Sequence, residues 1–295
     1  MTQYIRFDWV IKYMLRDKAN YVVLEGFLSE LLQQDITIQE ILESESNTLK
    51  YQEKLNRVDA LVKNQHGELI IIELQYESEL DYFQRILFGV ARLINQYIKK
   101  GEPYSQVKKV ISVSLVYFDL GEGTDYVYVG TTEFRGLHQQ DLLKLSEKQQ
   151  EAYHCETIAQ LYPTYYLLKI NKFADVIEDR LDEWLYFLKH ERINEEFKAK
   201  GLAEAKEKLD VVKLPTRERK KYDRFLEYLH FEASIVESKY LEGKLDGHAE
   251  GHTEGHTEGH AEAKQEMART MKQEGLPLAM IAKITGLTEA EIMSL

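Results

Sequence analysis

The chain has 295 residues, enough for one substantial domain with appendages, and carries a formal net charge of −12. This acidity argues against a strongly basic coat for nucleic acid, but it is compatible with an enzyme that concentrates carboxylates around a divalent metal. The single cysteine, Cys155, excludes an internal disulfide and a cysteine zinc cluster, and it fits a reducing, cytoplasmic setting. We expect no membrane segment and no signal peptide, because the sequence contains no suitable apolar run.

The first predicted elements are two helices, at residues 7–15 and 21–32, where apolar residues recur at helical spacing. Two β-prone runs, at 55–62 and 69–75, flank the turn residues Asn64-Gln65-His66-Gly67 and predict a hairpin. Residues 80–99 predict a long amphipathic helix. The apolar residues that share its broad face are Leu80, Phe83, Leu87, Val90, Ala91, Ile94, Tyr97 and Ile98. Later runs predict strands at 110–118, 126–134 and 165–170 and a helix at 175–189.

The hairpin's register follows from alternation, because successive strand side chains point to opposite faces of a sheet. A turn over residues 64–68 matches apolar to apolar residues on one face. The resulting pairs are Lys63 with Leu69, Val62 with Ile70, Ala60 with Ile72, and Val58 with Leu74. On the other face this register puts Asp59 directly opposite Glu73, and opposed Cβ atoms lie about 5 Å apart. A slip of one residue would move Asp59 to the wrong side.

Two carboxylates held this close repel each other, and a divalent cation relieves that repulsion. Mg²⁺ takes one or two carboxylates, keeps several waters and accepts phosphate oxygens, so Asp59 and Glu73 are a candidate metal site. Gln75 projects beside Glu73, where its amide is suited to bind the attacking water or a phosphate oxygen. The alternative is structural: Asp59 closes a turn or pairs with Arg57 or Lys54, and Glu73 is a solvated strand residue.

Several motifs in fixed order resemble a known family. Residues 55–59 (Leu-Asn-Arg-Val-Asp), Gly67 and residues 71–75 (Ile-Ile-Glu-Leu-Gln) resemble the recombination-promoting nuclease and transposase family of the PD-(D/E)XK superfamily. Further segments agree in order with that family: residues 7–12, 80–85, 101–104 followed by 110–118, and the Trp-containing run 184–188. The resemblance extends over nearly the whole chain and is most specific in residues 7–118.

The resemblance implies an α/β fold of the restriction-endonuclease type, with a mixed central sheet flanked by helices and a helical C-terminal extension. It implies a metal-dependent DNA endonuclease that hydrolyses phosphodiester bonds and promotes recombination or transposition-like events. Mg²⁺ is the expected ion, with Mn²⁺ as a substitute, and DNA is the expected partner. Asp59 and Glu73 would be the metal ligands and, with Gln75, the catalytic residues.

One departure concerns charge, because Gln75 stands where the superfamily usually has a lysine. Lys54, Arg57 or Arg85 would have to supply the missing positive charge, and Arg57 is favoured since it alternates onto the same face as Asp59. Asp8, on the first helix, is a further accessory candidate. Its alternative role is that of a helix cap or a surface charge.

The C-terminal third consists of charged helical segments with few apolar positions. We predict a nuclease-like domain at 1–195, a charged helical extension at 196–245, a Gly-His-x-Glu repeat helix at 246–274 and a small helical module at 275–295. In the last module Thr288 and Glu291 form a capping box. The module resembles a helix-turn-helix, with a docking or oligomerisation clip as the alternative. The C-terminal helices are expected to join copies of the chain into a homo-oligomer.

The repeat places histidines at positions 248, 252, 256 and 260. Histidines four residues apart on a helix can chelate zinc. Glycine at every fourth position weakens a lone helix, by roughly 1 kcal/mol each. We therefore expect a solvated or self-associating helix here and not a metal site.

Two other functional classes remain open at this point. A degenerate relative would bind nucleic acid or a partner without cutting, in keeping with Gln75 and the acidic charge. An assembly protein would depend on residues 246–295 and would be indifferent to the loss of Glu73.

Overall fold

The computed structural model describes residues 4–44, 59–98 and 100–295. The predicted strand segment 55–58, with Arg57, lies outside these residues, as does Lys54. Contacts divide the chain into two units, Met1–Arg219 and Lys220–Leu295. No helix in the described ranges combines the length and apolarity needed to cross a membrane.

The first unit is built on a six-stranded sheet. In chain order the strands are β1 (Ile38–Ser44), β2 (Ala60–Asn64), β3 (Leu69–Gln75), β4 (Val110–Val116), β5 (Val127–Gly130) and β6 (Thr164–Lys169). Their spatial order is β1-β2-β3-β4-β6-β5. The pairs β3–β4 and β4–β6 are parallel, and the other three pairs are antiparallel. The predicted mixed α/β sheet is confirmed. Strand β1 is the strand that was not predicted from the sequence.

The hairpin of β2 and β3 has the predicted register, with Lys63 opposite Leu69 and Ala60 opposite Ile72. Its turn closes when the amide of Gly67 donates to the carbonyl of Asn64, 3.0 Å away. Gly67 has a φ of 76°, in the left-handed region that a residue without Cβ adopts at low cost. Strand β3 is buried along nearly its whole length, because β2 and β4 pair with it on both sides.

Helices surround this sheet, and their bounds are close to the predicted ones for the strongly periodic segments. They are α1 (Phe7–Trp9), continued by a π-helical segment (Val10–Met14), α2 (Tyr21–Leu32), α3 (Tyr82–Tyr97), α4 (Glu147–Tyr153), α5 (Arg180–His190) and α6 (Leu202–Lys208). The predicted helical extension from residue 196 begins later than expected, since α6 follows Gly201, whose φ is 81°.

Helix α3 packs on the sheet face that carries Glu73. Buried side chains of β2, β3, β4 and α3 form one cluster there: Leu61, Leu69, Ile71, Val90, Leu93 and Val110. The helix was predicted, and Val90, Ile94 and Tyr97 of its predicted broad face do pack in this cluster, but the first half of the helix buries a different side. Tyr82 and Ile86 point inward, whereas Leu80, Phe83 and Leu87 are exposed by 102%, 49% and 59%.

The second unit contains most of α7 (Thr216–Gln273), followed by α8 (Leu278–Thr285) and α9 (Glu289–Ser294). Ala268, Ile281 and Ile292 form its buried core. Gly286 ends α8 with a φ of 74°, and the side chain of Thr288 accepts a hydrogen bond from the amide of Glu291. The small helical module and its capping box are confirmed, and the module consists of two short helices.

Candidate active site

Asp59 lies one residue before β2 and is only 5% exposed. Its Oδ2 accepts a hydrogen bond from the backbone amide of Leu74, with 2.6 Å between the two atoms. The β2–β3 ladder ends at Ala60 and Ile72, so the Asp59 carboxylate closes the end of the hairpin beyond the last backbone pair. This contact holds the carboxylate beside the strand that carries Glu73.

Lys12 brings a positive charge to the same carboxylate. Its Nζ lies 3.4 Å from Oδ1 of Asp59, and the lysine belongs to the π-helical segment that follows α1. The sequence reasoning quoted residues 7–12 as a family motif but did not place Lys12 in the site. No sequence pattern indicates that this segment lies at the end of the hairpin, because only the folded structure brings the two together.

Glu73 occupies the sheet face that packs against α3, and it is 8% exposed. Its Oε1 accepts a hydrogen bond from Nη2 of Arg85, 2.6 Å away. Burial raises the pKa of Glu73, the Arg85 charge opposes that rise, and the negative charges of Asp59 and Glu79 add to it. The effect of Asp59 means that the two predicted carboxylates lie within electrostatic reach of each other.

Glu79 joins the predicted residues Gln75 and Arg85, although it was not itself predicted. Its Oε1 lies 2.5 Å from Nη1 of Arg85 and 2.8 Å from Nε2 of Gln75. Gln75 also donates to the carbonyl oxygen of Glu77, at 3.2 Å. Arg85 therefore bridges Glu73 and Glu79, and Gln75 reaches the same cluster from the next inward-facing position of β3.

The accessory candidate Asp8 belongs to a different cluster. It is 2% exposed, so it is not a surface charge, and it accepts hydrogen bonds from Arg6 and from the hydroxyl of Tyr76, 3.2 Å away. The ring of Tyr76 stacks on that of Tyr117, with centroids 4.3 Å apart.

The donor set suits a hard cation. Within the described ranges no group of three or more His, Cys, Asp or Glu side chains is arranged to hold a metal ion. A carboxylate pair is nevertheless sufficient for Mg²⁺, which commonly takes one or two carboxylates and completes its shell with water. Asp59 and Glu73 offer oxygen ligands of this kind, so the residues present fit such an ion.

The histidine repeat belongs to α7, within the second unit. The side chains of His248, His252, His256 and His260 are exposed. Rings of His256 and His260 have centroids 4.5 Å apart, as residues on one helix face do at a spacing of four. Both features agree with the solvated or self-associating helix that was predicted.

The mixed sheet, the hairpin with its two acids and the flanking helices define an α/β fold of the restriction-endonuclease type. Residues 5–239 match the family model described as PD-(D/E)XK nuclease family transposase, and residues 261–295 match the C-terminal HTH domain of the Rpn/YhgA-like nuclease family. The chain therefore belongs to the PD-(D/E)XK nuclease family transposases. Comparison with curated proteins and with solved structures finds no match.

Proposed function

We propose that this protein is a Mg²⁺-dependent DNA endonuclease that hydrolyses phosphodiester bonds and promotes recombination or transposition-like events. One observation carries the proposal: two buried carboxylates, Asp59 and Glu73, lie within electrostatic reach of each other at the end of one hairpin, and Arg85 donates a hydrogen bond to Glu73. Burying two acids together is costly unless a cation compensates their charge. Buried acids whose pKa values are shifted in this way cluster at functional sites.

Asp59 and Glu73 would hold the metal, with Mn²⁺ as a substitute for Mg²⁺. The bound ion would supply an activated water and offset negative charge on the phosphate. The chain's own residues would do the rest. Arg85 keeps Glu73 oriented and adds positive charge, and Gln75, whose amide already belongs to the same cluster, orients water or a phosphate oxygen. Lys12 would hold the opposite side of the site through Asp59.

DNA is the proposed substrate, and the match to an HTH domain at residues 261–295 supports it. The net charge of −12 favours recognition through a few placed phosphate contacts over a broad basic surface. We further propose a homo-oligomer formed through the C-terminal helices, because α7 exposes a series of large apolar side chains. These are Tyr228, Phe231, Ile235, Val236, Tyr240, Leu241 and Leu245. A single cysteine fits the cytoplasm.

The proposal is tested by nicking of supercoiled plasmid with the full-length protein. We expect cleavage in Mg²⁺ or Mn²⁺ and none in EDTA, because the proposed ion supplies the activated water and offsets the charge on the phosphate. If the folded protein binds Mg²⁺ and DNA but cleaves neither strand in either metal, the chain is a degenerate relative that only binds. If removing residues 246–295 abolishes its role while Glu73→Ala changes nothing, it is an assembly protein.

The pH dependence of metal binding provides a second prediction. Because burial raises the pKa of Glu73 above its usual 4.5, this side chain remains protonated in the metal-free fold where the unfolded chain is already ionised. Its contribution to stability is therefore largest below 4.5 and is lost as the pH rises through the raised pKa. Mg²⁺ requires the ionised form, so its binding should strengthen over that same interval.

This dependence is measured as the rise in Tm caused by Mg²⁺ at a series of pH values, for the wild type and for Glu73→Gln. We expect the wild-type shift to grow with pH and the variant to show little shift at any pH. A wild-type shift that is constant from acid to neutral pH would mean that Glu73 does not titrate with metal binding.

A further inference from the structure

A buried hydroxyl beside the carboxylate pair is left without a hydrogen bond. Tyr82, the first residue of α3, is 0% exposed. Among the buried side-chain nitrogen and oxygen atoms of residues 4–44, 59–98 and 100–295, its hydroxyl oxygen is the one that makes no hydrogen bond. Such an unpaired group costs stability, so its retention calls for a specific explanation.

The ring of Tyr82 is held firmly by apolar neighbours. It packs with Ile86 and Val116, and it meets Phe118 edge to face with ring centroids 5.6 Å apart and planes at 87°. This packing would be equally available to phenylalanine, which fills nearly the same volume without the hydroxyl. The apolar contacts therefore explain the ring but not the oxygen.

The hydroxyl lies within electrostatic reach of the carboxylate pair. Burial raises the pKa of Tyr82 most and the negative charges of Glu73 and Asp59 raise it further, so the hydroxyl stays protonated at neutral pH. Ser114, which pairs with Glu73 across β3 and β4 and is 1% exposed, lies close enough to the hydroxyl to lower its pKa. The hydroxyl is therefore within reach of Ser114 and of the charges of Glu73 and Asp59.

We propose that Tyr82 is a positioning residue of the active site, whose hydroxyl oxygen would accept a hydrogen bond from a water molecule of the metal ion held by Asp59 and Glu73. The inference rests on the proposed function, because the metal supplies the water. A water molecule bound to a divalent cation gives its lone pair to the metal and becomes a stronger hydrogen-bond donor, so a fixed, dry hydroxyl oxygen is a suitable acceptor for it. The hydroxyl would orient that water relative to the carboxylate of Glu73.

The test compares Tyr82→Phe with the wild type, by calorimetric titration with Mg²⁺ and by thermal unfolding in EDTA. We expect the Mg²⁺ Kd of the variant to rise by about 10- to 100-fold, as is typical when a partner of a metal's ligands is removed. In EDTA its Tm should equal or exceed that of the wild type, because the substitution deletes an unpaired polar atom. With Mg²⁺ at saturation, kcat should fall while KM for DNA stays constant.

A matched control is Tyr126→Phe. The hydroxyl of Tyr126 donates to Oδ1 of Asp182, 2.8 Å away, so its removal should lower the Tm in EDTA and leave Mg²⁺ affinity unchanged. Unchanged Mg²⁺ affinity in Tyr82→Phe would overturn the inference, and so would a lower Tm in EDTA, because the fold itself would then use the hydroxyl. A wild type that fails to bind Mg²⁺ would overturn the proposed function and this inference with it.

Discussion

Asp59→Asn and Glu73→Gln are each expected to reduce Mg²⁺-dependent DNA cleavage about a thousandfold. A bound metal contributes several kcal/mol to catalysis of this kind, and each 1.4 kcal/mol corresponds to a tenfold change in rate. Both substitutions remove the negative charge that retains the cation while keeping the size of the side chain. The measurement is the initial rate of plasmid nicking at saturating DNA, with Mg²⁺ titrated for each variant.

The amides are preferable to alanine because both carboxylates have partners in the fold. Asp59 accepts from the amide of Leu74, and Glu73 accepts from Arg85. Asn and Gln retain an oxygen acceptor at each place, whereas alanine would leave a buried donor unpaired, at a cost of about 1–3 kcal/mol. Loss of activity in the amide variants can then be attributed to the site, provided that their Tm stays near that of the wild type.

Glu122→Gln is the matched control, since it removes one negative charge from an exposed loop position. It should cleave as the wild type does. The carboxylate pair would be excluded as the catalytic centre if Glu73→Gln and Glu122→Gln retained the same rate. If only one of the two site variants lost activity, a single carboxylate would hold the metal and the other would serve the fold.

The hairpin could be predicted from the sequence because one simple rule governs it. Apolar residues alternate on both strands, so only one register buries Val62 against Ile70 and Ala60 against Ile72, and that register is the observed one. The same rule predicts that Asp59 and Glu73 share the other face, and this stays a prediction because the observed ladder ends at Ala60 and Ile72. Turn chemistry helped, since Gly67 takes the left-handed conformation that closes the connection.

Helix α3 shows why the rest of the site was harder to predict. Its sequence contains two apolar stripes, and the one that packs inward carries Tyr82, Ile86 and Val90, while Phe83 and Leu87 are exposed. Periodicity identifies the helix but does not choose between the stripes when both are apolar. The rotation of α3 about its own axis decides whether Arg85 faces Glu73. The apolar pattern does not fix this rotation, so the contact between the two residues could not be predicted.

The remaining site residues come from segments that are distant in the chain or irregular in structure. Lys12 lies on a π-helical segment and reaches Asp59, which is far away in sequence. Glu79 lies between β3 and α3, where no periodic pattern applies, and its role depends on the positions of Arg85 and Gln75. Strand β1 contains charged and amide side chains that weaken its β-signal, so its pairing with β2 decides its structure.

Arg85→Gln is expected to reduce cleavage by about 10- to 100-fold, the usual effect of removing a partner that orients a metal ligand. Arg85 lowers the pKa of Glu73, so its loss should raise that pKa further and move the onset of Mg²⁺ binding to higher pH. The measurements are the nicking rate and the Mg²⁺-induced Tm shift across pH. Arg180→Gln removes an exposed arginine from α5 and serves as the control.

A charge-relocation experiment tests whether Arg85 replaces the lysine that the superfamily usually carries at the position of Gln75. The amide of Gln75 already reaches Glu79, 2.8 Å away, so a lysine at this position would bring its ammonium group into the same carboxylate cluster. In the Arg85→Gln background, Gln75→Lys should therefore recover roughly tenfold of the lost rate and return the onset of Mg²⁺ binding toward the wild-type pH.

If Arg85→Gln cleaves normally, the site needs no arginine. If the double variant is no better than Arg85→Gln, the geometry of the guanidinium bridge matters and not its charge alone, because a lysine cannot span Glu73 and Glu79 as the planar arginine does.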